Sequence, residues 1–596
     1  MFMAEEGTIW PALSPDGHHI VYSGERNGQR ALLHLDIATD RCEVLGQPGY
    51  PPINALFWKG NDTILFQTPG PSRSAVIGAF DIPVRPVRLL TGPSPLPALC
   101  TIAGQCPGLP DKIVIEDCRE GGSVLKKIDV HTGTSELIYK SAAYGKRPTY
   151  LVTATGQLAF STVADEPKII HLDHPGIWSA KSHSFVVLKD VHLDKAYWRL
   201  GGCTSDGVVY LINSTEGDFG VLRRFDPADA GKSTVAYAAT AGELTSAIFS
   251  PDGARLLGVN YLGPGLRQVW FEADRLAMQK HLEQLFPGAH VFIVSSSLDE
   301  KMHVLSVGSD RTPEAFYLFD SLNDKTRLLG RTAAVPGELP VPETHPVDIP
   351  ASDGLVLHGF IVTPAGGAKD GAALVIRPYD QPFDGRFFEE PDGFTRYLTS
   401  RGFVVLNLNC RGCTGYGQKY LYSGSGELSG HLVTDVTDAA SWCVQQGKAR
   451  PGRIALCGEG MAGGIVLVAA AQKPALFCAV VNRQGVVDWG HLVEIDERAG
   501  RAAAHPLLYG PNFAIRHRRT PVDLVTKLPM PVLNFYSSRL SPNAVESLGH
   551  AYAAAKKQCP RGDRPEDYEH FDPVTVARRQ ARQAKAIADF FASAVQ

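Results

Sequence analysis

The sequence of 596 residues lacks several features that would place it in whole classes of protein. Its 58 basic and 62 acidic residues give a net charge of -4, so no excess of positive charge is available to bind a nucleic acid backbone. Its longest apolar runs, such as GGIVLVAAA from Gly463, fall well short of the roughly 18 residues that a membrane-spanning helix needs. The N-terminus, MFMAEEGTIW, shows no signal-peptide pattern. We therefore expect a soluble, cytoplasmic protein that binds neither nucleic acid nor a membrane.

Cysteine is also sparse, and its spacing excludes a disulfide framework. The 11 cysteines are an odd number scattered through a long chain, which predicts thiols that are mostly reduced and buried. Cys410 and Cys413, in the segment CRGC, have the spacing of a redox motif. No second pair and no nearby histidine cluster completes a zinc site around them. We therefore predict no metal site and no cofactor.

The first part of the chain, up to about residue 340, repeats two kinds of β-rich segment. WPALSPDGHHIVYSG and SAIFSPDGARLLGVN are copies of one hairpin, and LLHLDIATDRCEVLG and FYLFDSLNDKTRLLG are copies of another element. The two kinds alternate with a period of roughly 48 residues, which is typical of propeller blades. Because only neighbouring blades can cover each other's apolar faces, residues 1–340 are predicted to form an all-β propeller of about seven blades. Helical spacing in residues 269–288 predicts an insertion between the last two blades.

A proline-rich linker, residues 330–354, separates this part from a second one with a different rhythm. Short apolar strands such as AALVIRP, GFVVLNLN and RIALCG alternate there with helical stretches such as LVTDVTDAASWCVQQG. Near-continuous apolar strands are typical of a parallel sheet that is buried on both faces. We therefore predict that residues 341–596 form an α/β domain with helices on both sides of the sheet.

Residues 453–464, RIALCGEGMAGG, have the form of a strand, a tight turn and small residues that open a helix. In an α/β-hydrolase this turn is written G-x-S-x-G and presents the nucleophilic serine. Gly460 stands at the serine position here. Glycine adopts the strained backbone of such a turn without a steric cost, but it has no hydroxyl group. The sequence therefore predicts an α/β-hydrolase domain in which Gly460 is a non-functional nucleophile position.

Nearly the whole chain resembles the prolyl oligopeptidase family, and most of all its acylaminoacyl-peptidase and dipeptidyl-peptidase-like bacterial branch. The segment CRGCTGYGQKY is similar to the family's YRGSTGYG, and DVTDAASWCVQQGKARPGRIALCG is similar to its helix and elbow strand. The SPDG turns of the first part are also typical of the family. The resemblance implies a propeller followed by a hydrolase domain.

Departures from the family pattern are concentrated where the chemistry takes place. The elbow reads GEGMAGG, and RPYDQP, from Arg377 to Pro382, replaces the HGGP-like turn of the family. The loop Ser537–Leu540 has no carboxylate, so Ser538 marks only the approximate position of the acid. His570, in DYEHFDP, matches the family histidine as a vestigial or repurposed residue. The resemblance thus implies a divergent pseudoenzyme that lacks the catalytic serine and acid.

The first functional hypothesis is a non-hydrolytic homologue that binds a peptide or a small anionic ligand in a cavity between the two domains. The backbone amides of Met461 and Ala462 open a helix and would bind an anion, with Arg377 adding positive charge. Tyr379, from the same turn as Arg377, completes the predicted ligand site. A homo-oligomer is compatible with the sequence, which identifies neither the ligand nor the oligomeric state.

Alternatives to this hypothesis remain open. Arg377 is also a candidate for a structural salt bridge with Asp380 or Asp384. A repurposed enzyme would use Glu459, beside the elbow, and His570 for non-covalent acid/base chemistry in a cyclisation, an isomerisation or a hydrolysis. An active serine peptidase would need a relocated nucleophile within reach of the same histidine.

Overall fold

The computed structural model describes the chain from residue 11 to residue 595, outside 27–28, 47–54, 70–74, 83–86, 92–99, 118–122, 142–147, 166–169, 172–174, 190, 192–197, 215–216, 230–231, 264, 310–311, 313, 332–340, 381–382, 384, 390–391, 487, 491, 494–507, 510–520, 526 and 536–572. The chain divides into two compact units, one formed mainly by Glu6–Ser309 and one mainly by Ala334–Gln596. The predicted domain boundary at residue 340 falls outside the described residues, so its exact position stays a prediction.

The first unit is a seven-bladed β-propeller, in which each blade is an antiparallel sheet. Blades 1 and 2 contain β1 (Ala12–Leu13), β2 (His19–Arg26), β3 (Gln29–Asp36), β4 (Arg41–Gly46), β5 (Ala55–Lys59), β6 (Thr63–Pro69), β7 (Ala75–Asp81) and β8 (Arg88–Leu89). Blades 3 and 4 contain β9 (Cys100–Gly104), β10 (Lys112–Asp117), β11 (Val124–Asp129), β12 (Ser135–Lys140), β13 (Tyr150–Val152), β14 (Leu158–Ser161), β17 (Gly176–Ser179) and β18 (Ser184–Val187). A separate hairpin of β15 (Ala164–Asp165) and β16 (Ile170–His171) lies within blade 4 in the sequence.

The remaining blades follow in chain order. Blade 5 contains β19 (Trp198–Cys203), β20 (Val209–Asn213), β21 (Val221–Phe225) and β22 (Ser233–Ala238), with a short 3-10 helix at Pro227–Asp229. Blade 6 contains β23 (Glu243–Phe249), β24 (Leu256–Leu262) and β25 (Leu266–Trp270), and blade 7 contains β26 (His290–Ser296), β27 (Met302–Gly308), β28 (Ala315–Asp320) and β29 (Lys325–Arg331). The prediction of about seven blades is confirmed.

The repeated turns have the same hydrogen bonding in different blades. In the SPDG turn of blade 1 the hydroxyl of Ser14 donates to the carboxylate of Asp16 at 2.5 Å. In the SPDG turn of blade 6 Ser250 donates to Asp252 at the same distance. Gly17, with a φ of 79°, completes the first turn in a conformation that favours glycine. The sequence repeat therefore corresponds to one local structure, and it marks the first hairpin of a blade.

Apolar side chains from adjacent blades pack together and close the ring. Leu13 of blade 1 shares a buried cluster with Val304 and Phe316 of blade 7. The amide of Leu298 also donates to the carbonyl of Pro15 across the same junction, at 2.7 Å. The first and last blades are therefore joined by side-chain packing and by a backbone hydrogen bond, and the packing buries apolar faces that a single blade would leave exposed.

A helix separates the last two blades, as the spacing of residues 269–288 predicts. Helix α1 (Ala273–Leu285) follows β25 and precedes β26. Its Leu282 is fully buried and packs with Trp270 and Val291, which belong to the two flanking blades. The helix therefore fills the junction between blades 6 and 7.

The second unit contains one seven-stranded sheet in the order β30-β31-β33-β32-β34-β35-β36. Its strands are β30 (Glu343–Pro350), β31 (Val356–Thr363), β32 (Leu374–Pro378), β33 (Val404–Asn409), β34 (Ile454–Glu459), β35 (Phe477–Arg483) and β36 (Val532–Phe535). Strands β32, β33, β34, β35 and β36 run parallel to one another, whereas β30 and β31 are antiparallel to their neighbours. This arrangement confirms the predicted α/β-hydrolase fold.

Helices cover both faces of this sheet. They are α2 (Gly393–Ser400), α3 (Gln418–Tyr422), α4 (His431–Gln445), α5 (Gly460–Gln472), α6 (Val522–Val525) and α7 (Pro573–Ala594), and Pro474–Leu476 forms a short 3-10 helix. Along β32, Leu374 and Ile376 belong to the core on the side of α4 and α5, while Val375 belongs to the core on the side of α2 and α7. In the part of the chain that the structure describes, no helix has the length and apolar character needed to cross a membrane.

Candidate ligand site at the strand-to-helix elbow

The elbow between β34 and α5 has the backbone conformation of a nucleophile turn, with glycine at its centre. Strand β34 is buried except at Glu459, and α5 begins at the next residue. Gly460 has a φ of 54°, in the left-handed region that few side chains adopt without strain. A Cβ atom on Gly460 would lie 3.3 Å from the carbonyl oxygen of Asp380, a tight contact. The turn therefore keeps the geometry that presents a side chain, while its central residue has none.

The first backbone amide after Gly460 is already hydrogen-bonded. The amide of Met461 donates to the carbonyl oxygen of Asp380 at 3.1 Å. Asp380 lies just beyond the carboxyl end of β32, which neighbours β34 in the sheet. This contact corrects the prediction that the Met461 amide is available to an anionic ligand. Ala462, the other predicted donor, is fully buried.

Arg377, on β32, forms a two-pronged ion pair. Its two terminal nitrogens donate to the two carboxylate oxygens of Asp392 at 2.9 and 3.0 Å. One of these nitrogens also donates to the hydroxyl of Thr395. Asp392 in turn caps α2 by accepting the Thr395 amide at 2.7 Å. The salt bridge of Arg377 is therefore made with Asp392 and not with the predicted Asp380, while Asp384 lies outside the described residues.

The charge of Arg377 is compensated within this cluster. Desolvation raises the pKa of Asp392, but the charge and hydrogen bonds of Arg377, together with those from Thr395, outweigh it and hold the pKa well below its ordinary value. The guanidinium also lies over the rings of Phe387 and Phe394, with 5.2 and 4.7 Å to the centroids. These contacts favour the structural interpretation of Arg377 over the prediction that it binds a ligand.

A cavity of about 280 Å³ lies within the second unit at the carboxyl ends of β32, β34 and β35. Its lining includes three arginines and three aromatic residues, namely Arg377, Arg386, Arg483, Tyr379, Phe387 and Phe388. Ligands of parallel α/β sheets bind at the carboxyl ends of strands, so the location is typical of a functional site. The cavity brings together three residues of the predicted site: Arg377, Tyr379 and Glu459.

Glu459 and Arg483 form the ion pair at the end of two neighbouring strands. They are register partners where β34 and β35 run side by side, and a terminal nitrogen of Arg483 lies 2.9 Å from the Glu459 carboxylate. The side chain of Arg483 is only 11% exposed, whereas that of Glu459 is 43% exposed. The Nε of Arg483 is buried and has no hydrogen-bond partner among the residues that the structure describes. Sequence reasoning missed Arg483, although an arginine that ends the apolar strand FCAVVNR was a usable signal.

The cysteines near the cavity are poor nucleophiles. Burial raises the pKa of the Cys457 thiol to about 11, as expected for a thiol in the core. Burial likewise raises the pKa values of Cys410 and Cys413, and both are free thiols. Thiolate chemistry at neutral pH is therefore disfavoured at all three positions.

Residues 392–501, which include the elbow, match the model of the prolyl oligopeptidase family. Over this segment the chain is similar to the prolyl oligopeptidase family. It is 25% identical over 499 residues to the dipeptidyl aminopeptidase BIII of Pseudoxanthomonas mexicana, covering 79% of this chain and 69% of that protein. It is also 25% identical over 305 residues to dipeptidyl peptidase family member 6 of Caenorhabditis elegans, covering 47% of this chain and 41% of the relative.

Solved structures agree with the fold of this chain. The structure of a puromycin-hydrolyzing peptidase of Mycobacterium tuberculosis superposes with a TM-score of 0.75 at 17% sequence identity. The match covers 100% of this chain and 95% of the other. A likeness at this level of identity concerns the fold, and the chemistry depends on the residues that this chain has at the site.

Two residues of the predicted site lie outside the described part of the chain. They are Ser538, at the approximate acid position, and His570, at the histidine position. Their assignments stay predictions. The described site consists of the elbow, the cavity and the two arginine–carboxylate pairs.

Proposed function

We propose that this homologue does not perform covalent serine catalysis and instead binds a peptide or small anionic ligand at the elbow cavity of its hydrolase unit. One observation carries the proposal: the elbow has Gly460 at its centre, and the amide that follows is hydrogen-bonded to the chain itself. The predicted location of the ligand between the two domains remains a prediction, and the proposal rests on the cavity inside the hydrolase unit.

Covalent acyl transfer requires a nucleophile and donors that stabilise the developing oxyanion. Gly460 supplies no nucleophilic atom. The Met461 amide, which follows the nucleophile position, donates to the carbonyl of Asp380. An oxyanion at this place would have to displace that carbonyl, whose partial negative charge opposes it. Both parts of the covalent mechanism are therefore disfavoured at the elbow.

Binding is supported by what the site retains. The cavity of about 280 Å³ is close to the lower end of the range for small-molecule sites and combines charged groups with aromatic rings. Two of the similar proteins bear the names of a dipeptidyl aminopeptidase and a dipeptidyl peptidase, which supports a peptide as the ligand class. We therefore propose that the hydrolase unit retains recognition without the covalent step.

The test is labelling of the wild-type protein with a fluorophosphonate probe, combined with hydrolysis assays on a library of fluorogenic aminoacyl and dipeptidyl substrates. We expect no labelling and no turnover. The Gly460→Ser variant is the matched control for the nucleophile, and we expect it to remain without robust turnover because the Met461 amide is occupied and the predicted acid loop lacks a carboxylate. Stoichiometric labelling of a wild-type serine, mapped by mass spectrometry, would overturn the proposal.

The second candidate is a repurposed enzyme with non-covalent acid/base chemistry. It is favoured by one observation, the 43% exposed carboxylate of Glu459 at the cavity. This candidate predicts turnover that is insensitive to the fluorophosphonate and is lost in Glu459→Gln. The substrate library, read by mass spectrometry for any change in covalent structure, separates it from binding alone.

A further inference from the structure

The guanidinium of Arg483 has donors that its internal partner does not use. One terminal nitrogen pairs with Glu459 at 2.9 Å, while the buried Nε has no partner among the described residues. The group also lies over the ring of Phe394, 4.5 Å from its centroid, which fixes its plane. A planar, fixed guanidinium with an unused donor is suited to bind a carboxylate through two hydrogen bonds.

Among the described residues, the carboxylate of Glu459 makes one ion pair, with Arg483, and no capping contact. Glu459 is the N-cap residue of α5, but its side chain makes no capping hydrogen bond. Its side chain is 43% exposed, so it can turn into solvent at little desolvation cost. Glu459 therefore occupies the Arg483 site in the way that a tethered ligand would.

The other ion pair of the cavity has a carboxylate of similar exposure, 46% for the Asp392 side chain, but that carboxylate has structural roles. Asp392 engages both terminal nitrogens of Arg377 and also caps α2, so removing it would leave a buried guanidinium and a helix N-terminus unsatisfied. Arg483 differs because its carboxylate partner can leave without breaking a secondary-structure element. Between these two pairs, only the Arg483 pair is built to exchange its partner.

We infer that Arg483 binds the carboxylate of a ligand and that Glu459 occupies this site until the ligand displaces it. The inference rests on the proposed function, because it names the ligand chemistry of the same cavity. The rings of Tyr379, Phe387 and Phe388 in the lining favour an aromatic or apolar group next to the carboxylate. The ligand class is therefore a small apolar carboxylate, either a free acid or the C-terminal residue of a peptide.

The experiment measures binding of N-acetylphenylalanine and of its uncharged amide to the full chain by calorimetry. We expect Glu459→Gln to bind the acid about tenfold more tightly than the wild type, if Glu459 vacates the site about one tenth of the time. Glu459→Asp, which keeps the negative charge, is the matched control and should stay near the wild type. The affinity for the acid should also fall with added salt, while the affinity for the amide should not change.

Arg483→Gln should bind acid and amide equally, and its fold is checked by thermal unfolding. If that variant does not fold, the affinities of Glu459→Gln for the acid and for the amide still test whether the site binds a carboxylate. Hexapeptides that end in phenylalanine, with a free or an amidated C-terminus, test whether the ligand is a peptide C-terminus rather than a small free acid. Tighter binding of the free carboxylate than of the amide, in the hexapeptides or in N-acetylphenylalanine, supports the inference. Equal affinities for acid and amide in Glu459→Gln, or no binding of either acid at millimolar concentration, would overturn it. Fluorophosphonate labelling of the wild type would instead count against the proposed function.

Discussion

Arg411 and Arg483 both lie at carboxyl ends of parallel strands, but their surroundings differ. Arg411 follows β33 and donates through two nitrogens to Asp435 and through a third to Asp353 at 2.8 Å. Its side chain is 4% exposed, and Asp435 is completely buried. Arg483 makes a single ion pair with the half-exposed Glu459 and leaves its Nε without a partner among the described residues.

The difference separates an ion pair that holds the fold from one that is available to a ligand. Breaking a buried, fully hydrogen-bonded pair leaves an uncompensated charge in the protein interior. Breaking a partly exposed pair lets water replace the lost partner. Saturation of the donors, rather than the presence of an arginine and a carboxylate, therefore indicates which pair is structural.

The largest expected effect is the loss of the Arg411 pair. Asp435→Ala should lower the free energy of unfolding by about 3 to 5 kcal/mol, because it leaves the buried Arg411 charge without its main partner. Asp589→Ala is the control, since Asp589 pairs with Arg401 at 3.4 Å and with Lys585 at 2.6 Å on the surface, and we expect a much smaller loss of stability. Urea denaturation measures both, and similar losses would refute the distinction.

A buried basic group that forms no ion pair with a described carboxylate extends the comparison. Burial, aided by the charge of Arg275, lowers the pKa of His303 from 6.5 to about 4. The unfolded chain therefore takes up a proton first as the pH falls, so this histidine makes the folded protein less stable between pH 6.5 and pH 4. Titration of His303 should lower the free energy of unfolding by about 2 kcal/mol when the pH falls from 7 to 5.

The measurement is urea denaturation at the two pH values for the wild type and for His303→Gln. The variant should lose less stability on acidification than the wild type, although Ser296 loses its hydrogen bond to the ring, 2.8 Å in length. An identical pH dependence in the two proteins would show that His303 binds its proton equally well in the folded and unfolded states, which would contradict the lowered pKa.

Arg377 tests whether the second pair of the cavity is structural. Arg377→Ala should lower the free energy of unfolding by roughly 1 to 2 kcal/mol, because Asp392, the Thr395 hydroxyl and two aromatic rings lose a partner. At a temperature where the variant is folded, its affinity for N-acetylphenylalanine should match that of the wild type. A selective loss of affinity without a loss of stability would restore the original prediction that Arg377 binds the ligand.

The smallest expected effect concerns the pair that we consider exchangeable. Glu459→Gln should change the free energy of unfolding by less than about 1 kcal/mol, since its carboxylate is partly exposed and caps no helix. Thermal and urea denaturation at low salt measure the change. A loss as large as that of Asp435→Ala would mean that the Glu459 pair is structural after all.

The sequence alone determined the fold to a large extent. The alternation of two β-rich elements predicted the seven blades, and the apolar strands separated by helical spacing predicted the second sheet, because periodicity records which side chains must be buried. It also identified the elbow with Gly460, since the turn needs small residues whatever its function. Within the site, it singled out Arg377, Tyr379 and Glu459, which line one cavity of the hydrolase unit.

Only the tertiary structure decided what these groups contact. The partner of Arg377 is Asp392, from a helix N-terminus beyond the strand, and the Met461 amide donates to the carbonyl of Asp380 on another loop. Arg483 came to the site through the lateral register of β35 with β34, which no local pattern specifies. A hydrogen bond requires a donor and an acceptor that are aligned and about 3 Å apart, and this geometry depends on how distant segments of the chain pack. Burial, in contrast, requires apolar residues at regular spacing along each element, so it can be read from the sequence.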